Sequence, residues 1–197
     1  LTQVPVSDFL SLLEAGPKGR TSLLEALGFS SNTHFLVEGR HAVAAAIEHR
    51  AALELVLTTG DEAEFAQLVA PPVYAIDKGT LSAWLRFDFH RGHLAIARRP
   101  IQTFGDWLPT DRAVKVAALC GLADPGNVGT IIRNAAAFDL DAVICDTKGA
   151  DPFNAKSVRA SATTVFQIPV FRLSLFLEQT ELFNATKHNI SLHLKNT

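Results

Sequence analysis

Residues 118–138 read ALCGLADPGNVGTIIRNAAAF: an apolar run, a loop rich in Gly, Pro and Asn, and then a helical pattern. The apolar run starts at Val114 and breaks at residues 123–126, which predicts a buried strand that ends in a turn. Apolar residues then recur at helical spacing and predict an amphipathic helix over 127–138; they are Val128, Ile131, Ile132, Ala135 and Phe138. A strand, loop and helix in this order present a helix N-terminus at the C-terminal edge of a sheet, where α/β proteins bind ligands.

Three polar residues of this stretch lie where a site would need them. Asp124 and Asn127 fall at the loop and the predicted N-cap, and Arg133 lies about 9 Å further along the helix axis. The spacing alone is equally compatible with an ordinary capped helix that carries one solvated arginine.

A second stretch, DPFNAKSVRASATTVFQIP at residues 151–169, favours a site. Lys156 and Arg159 are three residues apart, as on one face of a short helix predicted near 154–160. A run of small residues follows, and then a predicted strand over 165–168 that is closed by Pro169.

The two stretches together resemble the first two signature motifs of the SpoU/TrmH family of RNA ribose 2′-O-methyltransferases, part of the SPOUT superfamily. The first motif, N-x-G-x-x-x-R-x-A, corresponds to residues 127–135, and the second, D-P-x-N-x-K-x-V-R-A-S, to residues 151–161. The resemblance implies methylation of a ribose 2′-hydroxyl in rRNA or tRNA with S-adenosyl-L-methionine as cofactor. It also implies that Arg133 is the catalytic residue beside the hydroxyl and that Asn127 shapes the loop.

The chemistry of arginine restricts the role that Arg133 can take. A guanidinium with a pKa above about 12 is a poor base. We therefore favour bidentate contact of Arg133 with the target phosphate and stabilisation of the developing alkoxide. Lys156 and Arg159 are candidates for contact with the RNA backbone, and a solvated helix face is the alternative.

The alternation of elements predicts an α/β protein with two domains. Residues 1–33 are predicted to be a helical extension whose leucines need a partner surface, 34–101 a compact α/β domain, 102–112 a linker, and 113–197 a parallel-sheet domain. The forms V-E-G-R-x-A-V at 37–43 and H-x-G-x-L-A at 90–95 resemble the small ribosomal-protein-like substrate-binding domain of the family. Arg40, His90 and Arg91 are therefore candidate RNA contacts. Arg91 stands where most relatives have Gln, so it either alters an RNA contact or simply adds charge.

The family's third motif, a Gly-Asn-Glu-Gly-type loop followed by a last helix, has no match after Phe171. In the family this part forms the trefoil knot and most of the cofactor pocket. We therefore expect a SPOUT (α/β knot) domain that is incomplete at its C-terminal end, with unknown cofactor-binding residues. The alternative function is an RNA-binding protein that carries an inactive methyltransferase domain.

Composition, cysteine content and missing motifs restrict the class of protein, its compartment and the kinds of site that the chain can carry. The chain of 197 residues is 48% hydrophobic and 19% charged, which is typical of a globular protein, and its net charge of −2 is unusual for a nucleic-acid binder. Cys120 and Cys145 lie in apolar runs and predict buried thiols in a reducing compartment, so we expect a cytoplasmic protein. The chain has no apolar run long enough for a membrane helix, so we expect no membrane span. Because the basic residues are few, we expect a homodimer that joins two RNA-binding surfaces. The sequence lacks P-loop and G-x-G-x-x-G motifs, a hydrolase triad, and a cysteine or histidine set at metal-ligand spacing, so no metal is expected.

Overall fold

The chain divides into two compact units, Leu1–Arg99 and Pro100–Thr197. The structure, a computed structural model, describes residues 11–17, 22–59, 71–85 and 92–173, together with the backbone of 191–193. Within these ranges no helix combines the length and the apolar character that crossing a membrane requires.

The first unit is built on a mixed four-stranded sheet in the order β1-β4-β2-β3, in which β4 runs antiparallel to β1 and β2, and β3 runs parallel to β2. Its described elements are α1 (Leu23–Ala26), β1 (His34–Glu38), α2 (Arg40–Glu48), β2 (Leu53–Thr58), β3 (Val73–Ala75), α3 (Lys78–Leu85) and β4 (His93–Arg98). The predicted helix over 61–69 lies outside the described residues.

Leucines of the N-terminal extension belong to the core of this first unit. Four of them are buried in one cluster with side chains of β2, β4 and α3; they are Leu13, Leu23, Leu24 and Leu27. The indole nitrogen of the buried Trp84 donates a hydrogen bond to the carbonyl oxygen of Leu13 at 2.8 Å. Ser22 and Glu25 form a capping box at the start of α1 and so fix where this helix begins.

The second unit is built on a parallel sheet in the order β7-β6-β5-β8. Its described elements are α4 (Phe104–Trp107), β5 (Lys115–Leu119), α5 (Pro125–Ala137), β6 (Ala142–Asp146), α6 (Ala155–Ala160), a 3₁₀ helix (Thr164–Phe166), β7 (Val170–Leu173) and β8 (Ser191–His193). The predicted α/β class and parallel sheet are confirmed, whereas the implied knot falls largely on residues after 173 that lie outside the described ranges.

The segment 102–112 is not a simple linker. It contains α4, which is capped by the side chain of Thr103, and the rings of Phe104 and Trp107 each lie within 5.5 Å of the ring of Phe171, centre to centre. The sequence prediction rested on Gly105 and on Pro109, but the two aromatic side chains bury apolar area against the sheet and so make the segment part of the core.

The predicted strand over 165–168 is also wrong, because this stretch holds the 3₁₀ helix and the strand β7 begins only at Val170. Ala162 and Thr163 adopt left-handed backbone conformations, with φ of 48° and 76°, and turn the chain away from an extended path. Pro169 therefore precedes the strand instead of closing it.

Thr163 is a strained position that a mutation can test. A β-branched residue at positive φ is unfavourable, whereas glycine adopts this conformation without steric cost. We expect Thr163→Gly to raise the free energy of unfolding by about 1 kcal/mol, as measured by urea denaturation.

The neighbouring Thr164 provides the matched control for this substitution. Its backbone is not in the left-handed region, and its hydroxyl donates to the carbonyl of Ser161 at 2.7 Å. Thr164→Gly should therefore lower stability, and a loss of stability in both variants would contradict the strain at Thr163.

Asp141 ties the start of β5 to the start of β6. Its carboxylate accepts hydrogen bonds from the backbone N–H of Lys115 at 2.7 Å and from the guanidinium of Arg112 at 2.6 Å. Burial alone would raise the pKa of the Asp141 carboxyl, but these two donors outweigh burial and lower the pKa below its ordinary value of 3.8. The stabilisation is therefore complete above pH 3.8 and is lost as the pH falls through the lower pKa of the folded state.

We expect Asp141→Asn to lower the free energy of unfolding at neutral pH by about 1 kcal/mol, a modest value because Arg112 is half exposed. Denaturant unfolding at about pH 7 and about pH 3 measures the effect, and the difference between variant and wild type should shrink at the lower pH. A difference that stays constant with pH would mean that the charge of Asp141 contributes nothing.

Candidate functional site

The first motif forms the N-terminal half of α5. Asp124 is the N-cap residue, Pro125 occupies the first helical position, and the Asp124 Oδ1 atom accepts a hydrogen bond from the backbone N–H of Asn127 at 2.8 Å. Asn127 is exposed in the first turn, and Arg133 is exposed farther along the helix. Among the residues that the structure describes, Arg133 has neither a hydrogen-bond partner nor an ion-pair partner, so its guanidinium is available to a ligand.

Phe138 departs from the predicted apolar stripe of this helix. Val128, Ile132 and Ala135 are buried as expected, but Phe138 is the C-cap residue and its side chain is 75% exposed. The helix ends there because Asp139 adopts a left-handed conformation with φ of 52°, so the last aromatic residue turns out of the core.

The second motif forms a loop and the short helix α6. The Asp151 carboxylate accepts from the backbone N–H of Phe153 at 2.9 Å, and the side chain of Asn154 caps the helix by accepting from the N–H of Lys156, also at 2.9 Å. Lys156 and Arg159 are both exposed on α6. The predicted helix near 154–160 is thus confirmed, and its polar side chains at the N-terminus are used for capping.

Backbone contact at Gly129 brings the two motifs together. A Cβ atom at this position would clash with the carbonyl oxygen of Ser157 and would lie 2.7 Å from the Cβ of Ala160 and 2.8 Å from the backbone nitrogen of Ser161. Only glycine allows α5 and α6 to approach this closely. The hydroxyls of the buried Ser157 and Ser161 bond to backbone carbonyls of their own segment, at 2.8 Å and 2.7 Å, so no hydroxyl is left unsatisfied at the contact.

A charged contact also joins the motifs, and sequence analysis did not find it. The Nζ atom of Lys156 lies 2.9 Å from Asp124 Oδ2. The hydrogen bond from Lys156, followed by that from the N–H of Asn127, lowers the pKa of the Asp124 carboxyl. The sequence indicated Asp124 as a polar residue of the loop and the predicted N-cap, but it did not indicate the ion pair, because two residues so far apart in the chain carry no pattern of a pair.

At the C-terminal edge of the parallel sheet, the loops that follow β5 and β6 contact each other through backbone groups. The loop after β5 contacts the loop after β6 through a hydrogen bond from the N–H of Ala150 to the carbonyl of Leu122 at 2.8 Å. A Cβ at Gly149 would lie 2.9 Å from that same carbonyl oxygen, so the two loops meet backbone to backbone. Arg172, near the end of β7, donates to the carbonyl of Thr147 at 3.1 Å.

The two cysteines differ from each other in this unit, and both are free. Cys145 is buried in β6 as predicted, and burial raises the pKa of its thiol to about 12. Cys120 follows β5 and is exposed, so the prediction of a buried thiol is wrong for it; partial burial and the nearby Asp146 carboxylate raise its pKa as well. Neither thiol is activated as a nucleophile at neutral pH.

The remaining predicted RNA contacts belong to the first unit. Arg40 is exposed at the start of α2, directly after Gly39, whose φ of 97° requires glycine. The N–H of Gly39 donates to the carbonyl of His93 at 2.9 Å, so the V-E-G-R and H-x-G-x-L-A stretches meet in the fold. His90 and Arg91 lie outside the described residues.

The two motifs pack together beside the parallel sheet of the second unit, and this unit is the part of the chain that matches a known family. Residues 115–195, within the second unit, match the SpoU rRNA Methylase family, and this match supports the resemblance seen in the sequence.

Individual relatives agree with this assignment. The chain is 32% identical over 143 residues to the 23S rRNA (guanosine(2553)-2′-O)-methyltransferase RlmP of Bacillus subtilis. This alignment covers 72% of this chain and 55% of that protein. It is also 35% identical over 105 residues to an uncharacterized tRNA/rRNA methyltransferase of Mycobacterium bovis. This second alignment covers 53% of this chain and 36% of that protein. The chain thus spans about half or less of the curated relatives that it matches.

A solved structure shows the same fold. The AdoMet-bound rRNA methyltransferase of Sinorhizobium meliloti matches with a TM-score of 0.69 and 24% identity, covering 94% of this chain and 67% of that one. At this level of identity the likeness shows the α/β fold, and the function is argued below from the residues.

Proposed function

We propose that the protein is an RNA methyltransferase that transfers a methyl group from S-adenosyl-L-methionine to a ribose 2′-hydroxyl of rRNA or tRNA. The observation that carries the proposal is the exposed Arg133 guanidinium, which has no partner among the described residues and stands on a helix fixed against α6 at Gly129. The names of the relatives, a 2′-O-methyltransferase of rRNA among them, support the reaction class.

The C-terminal edge of the parallel sheet is chemically suited to the cofactor. Gly121 is exposed in the loop after β5, and the Asp146 carboxylate at the end of β6 contributes to raising the pKa of the Cys120 thiol. Backbone groups of this loop and the Asp146 carboxylate would hold the ribose hydroxyls and the positive charge of S-adenosyl-L-methionine. The cofactor supplies the methyl group, activated on a sulfonium.

The residues of the chain supply alignment and charge stabilisation. The chain would orient the ribose so that its 2′-oxygen faces the activated methyl group, and the hydroxyl proton would leave to solvent. Arg133 would hold the adjacent phosphate through two parallel hydrogen bonds and stabilise the negative charge that develops on the oxygen. Asn127 would shape the loop in which the reacting groups meet.

RNA binding would use the exposed basic side chains of both units. Lys156 and Arg159 are assigned to the RNA backbone beside the reacting ribose, and Arg40, His90 and Arg91 to a contact made by the first unit. Each phosphate contact releases counterions, so affinity should fall as salt rises. With a net charge of −2 we expect one chain to bind RNA weakly, and a homodimer would double the basic surface. We place this activity in the cytoplasm.

The second candidate function is an RNA-binding protein with an inactive methyltransferase domain. It is the alternative that the sequence leaves open, because residues 172–197 themselves carry no match to the family's third motif. Under this alternative the basic residues act as before, but methyl transfer does not occur.

One experiment separates the two functions. The full chain is incubated with S-adenosyl-L-methionine labelled in its methyl group and with ribosomal or transfer RNA, and the digested RNA is analysed by mass spectrometry. Label in a 2′-O-methylnucleoside supports the enzyme, and RNA binding without transfer supports the alternative. Failure to bind RNA would overturn both, and calorimetry with the cofactor alone tests the cofactor assignment.

A further inference from the structure

The two oxygens of the Asp124 carboxylate perform different tasks. Oδ1 caps α5 by accepting from the N–H of Asn127 at 2.8 Å. Oδ2 bonds to Lys156 Nζ at 2.9 Å. One side chain therefore holds the helix that carries Asn127 and Arg133, and it also holds a cation from the second motif.

The side chain of Lys156 lies across the first turn of α5. A Cβ built at Gly126 would be 3.3 Å from Lys156 Cε and 3.6 Å from its Nζ, so the ammonium group rests over the turn that also contains Asn127. A positive charge is disfavoured at a helix N-terminus, where the macrodipole is positive, and a carboxylate is favoured there. Lys156 is thus held in this place by Asp124 and not by the helix.

A lysine without such a partner would not keep this position. The Lys156 side chain is 56% exposed and has four rotatable bonds, so in solvent it would sample many rotamers. Its ion pair reduces that freedom before any ligand arrives, and such preorganisation lowers the entropic cost of binding.

We propose that Asp124 is a positioning residue for RNA, which holds the Lys156 ammonium beside the first turn of α5 where the phosphate backbone binds. This inference rests on the proposed function. Asp124 touches neither the RNA nor the cofactor, and it acts through Lys156. The simpler interpretation is that Asp124 only caps the helix and that its ion pair is an exposed contact of small energy.

The variant Asp124→Ser separates these interpretations. Serine caps a helix about as well as aspartate, because its hydroxyl accepts the same backbone hydrogen bond, but it offers no charge to Lys156. It is compared with Lys156→Gln, with the double variant, and with Lys115→Gln as a control. Lys115 is exposed at the opposite end of β5, so its substitution makes the same change in charge away from the C-terminal edge of the sheet.

Two readouts are measured on the full chain. The first is the acylation of Lys156 by an amine-reactive ester, which reports its accessibility without any reaction on RNA. The second is methyl transfer, resolved into kcat and the KM for RNA. Circular dichroism melting confirms that each variant is folded.

We expect Asp124→Ser to increase acylation of Lys156 and to raise the KM for RNA about fivefold with little change in kcat. Lys156→Gln should raise the KM by at least as much, the double variant should be no worse than Lys156→Gln, and Lys115→Gln should match the wild type.

Two results would overturn the proposal. One is a KM and a Lys156 acylation that Asp124→Ser leaves unchanged. The other is an equal rise in KM when Asp124→Ser is introduced into the wild type and into the Lys156→Gln variant. The Asp124 carboxylate would then act through the helix cap and not through Lys156. A wild-type chain that neither binds nor methylates RNA would instead refute the proposed function, so the two failures are distinguishable.

Discussion

Arg133→Ala should lower kcat for methyl transfer by about 10²- to 10³-fold, the size of effect seen when one preorganised donor to a developing oxyanion is removed. The side chain is exposed and bonds to no described residue, so its removal should leave the melting temperature unchanged. Single-turnover transfer of labelled methyl to RNA measures the chemical step, and circular dichroism measures the fold.

Arg133→Lys refines this test of mechanism. Lysine keeps the charge but loses the planar pair of donors, so it should recover only a small part of the activity if bidentate contact with phosphate matters. Recovery to nearly wild-type rate would show that charge alone suffices. An unchanged rate in Arg133→Ala would remove this residue from the mechanism.

Gly129→Ala is expected to be the most destabilising single substitution that we consider. The added Cβ would clash with the Ser157 carbonyl and crowd Ala160 and Ser161, and two of the three contacts involve backbone that cannot move without separating α5 from α6. Overpacking of this kind should cost about 3 kcal/mol or more, enough to unfold a marginally stable unit. Denaturant unfolding or, for an unfolded variant, loss of the circular dichroism signal measures it.

Gly126→Ala is the matched control, since it is the same substitution in the same helix. There the added Cβ would meet only side-chain atoms, of Asp124 and Lys156. Their displacement costs at most the helix cap, about 1 kcal/mol, which the higher helix propensity of alanine offsets. Its stability should stay close to that of the wild type. If both alanine variants were equally stable, the close approach of the two helices would not depend on Gly129.

The sequence predicted those elements whose pattern is set by local periodicity. The run before Cys120 and the stripe of Val128, Ile132 and Ala135 led to β5 and α5 because burial of one face dictates the spacing. The short strand after Ser161 was misplaced because two residues in left-handed conformations turn the chain, and neither is glycine, so the sequence gives no warning.

The site was predicted in its residues but not in its contacts. Motif resemblance supplied Asn127, Arg133 and Lys156, whereas the ion pair from Lys156 to Asp124 depends on how α6 lies against α5. Such a contact is set by tertiary packing, here by the close approach at Gly129, and a linear pattern does not contain it. The roles of these residues in catalysis and RNA binding remain predictions.

The hydrogen bond between Trp84 and Leu13 has a consequence for synthesis of the protein on the ribosome. The two residues are 71 positions apart, so at roughly 5–20 residues per second the N-terminal leucines wait roughly 4–14 s before their indole partner has been made. During that interval only the β2 leucines of the same core cluster have been made, because α3 and β4 follow in the chain. The core of the first unit is therefore completed only after β4 has been synthesised, and until then its N-terminal leucines can be bound by chaperones that recognise short apolar segments.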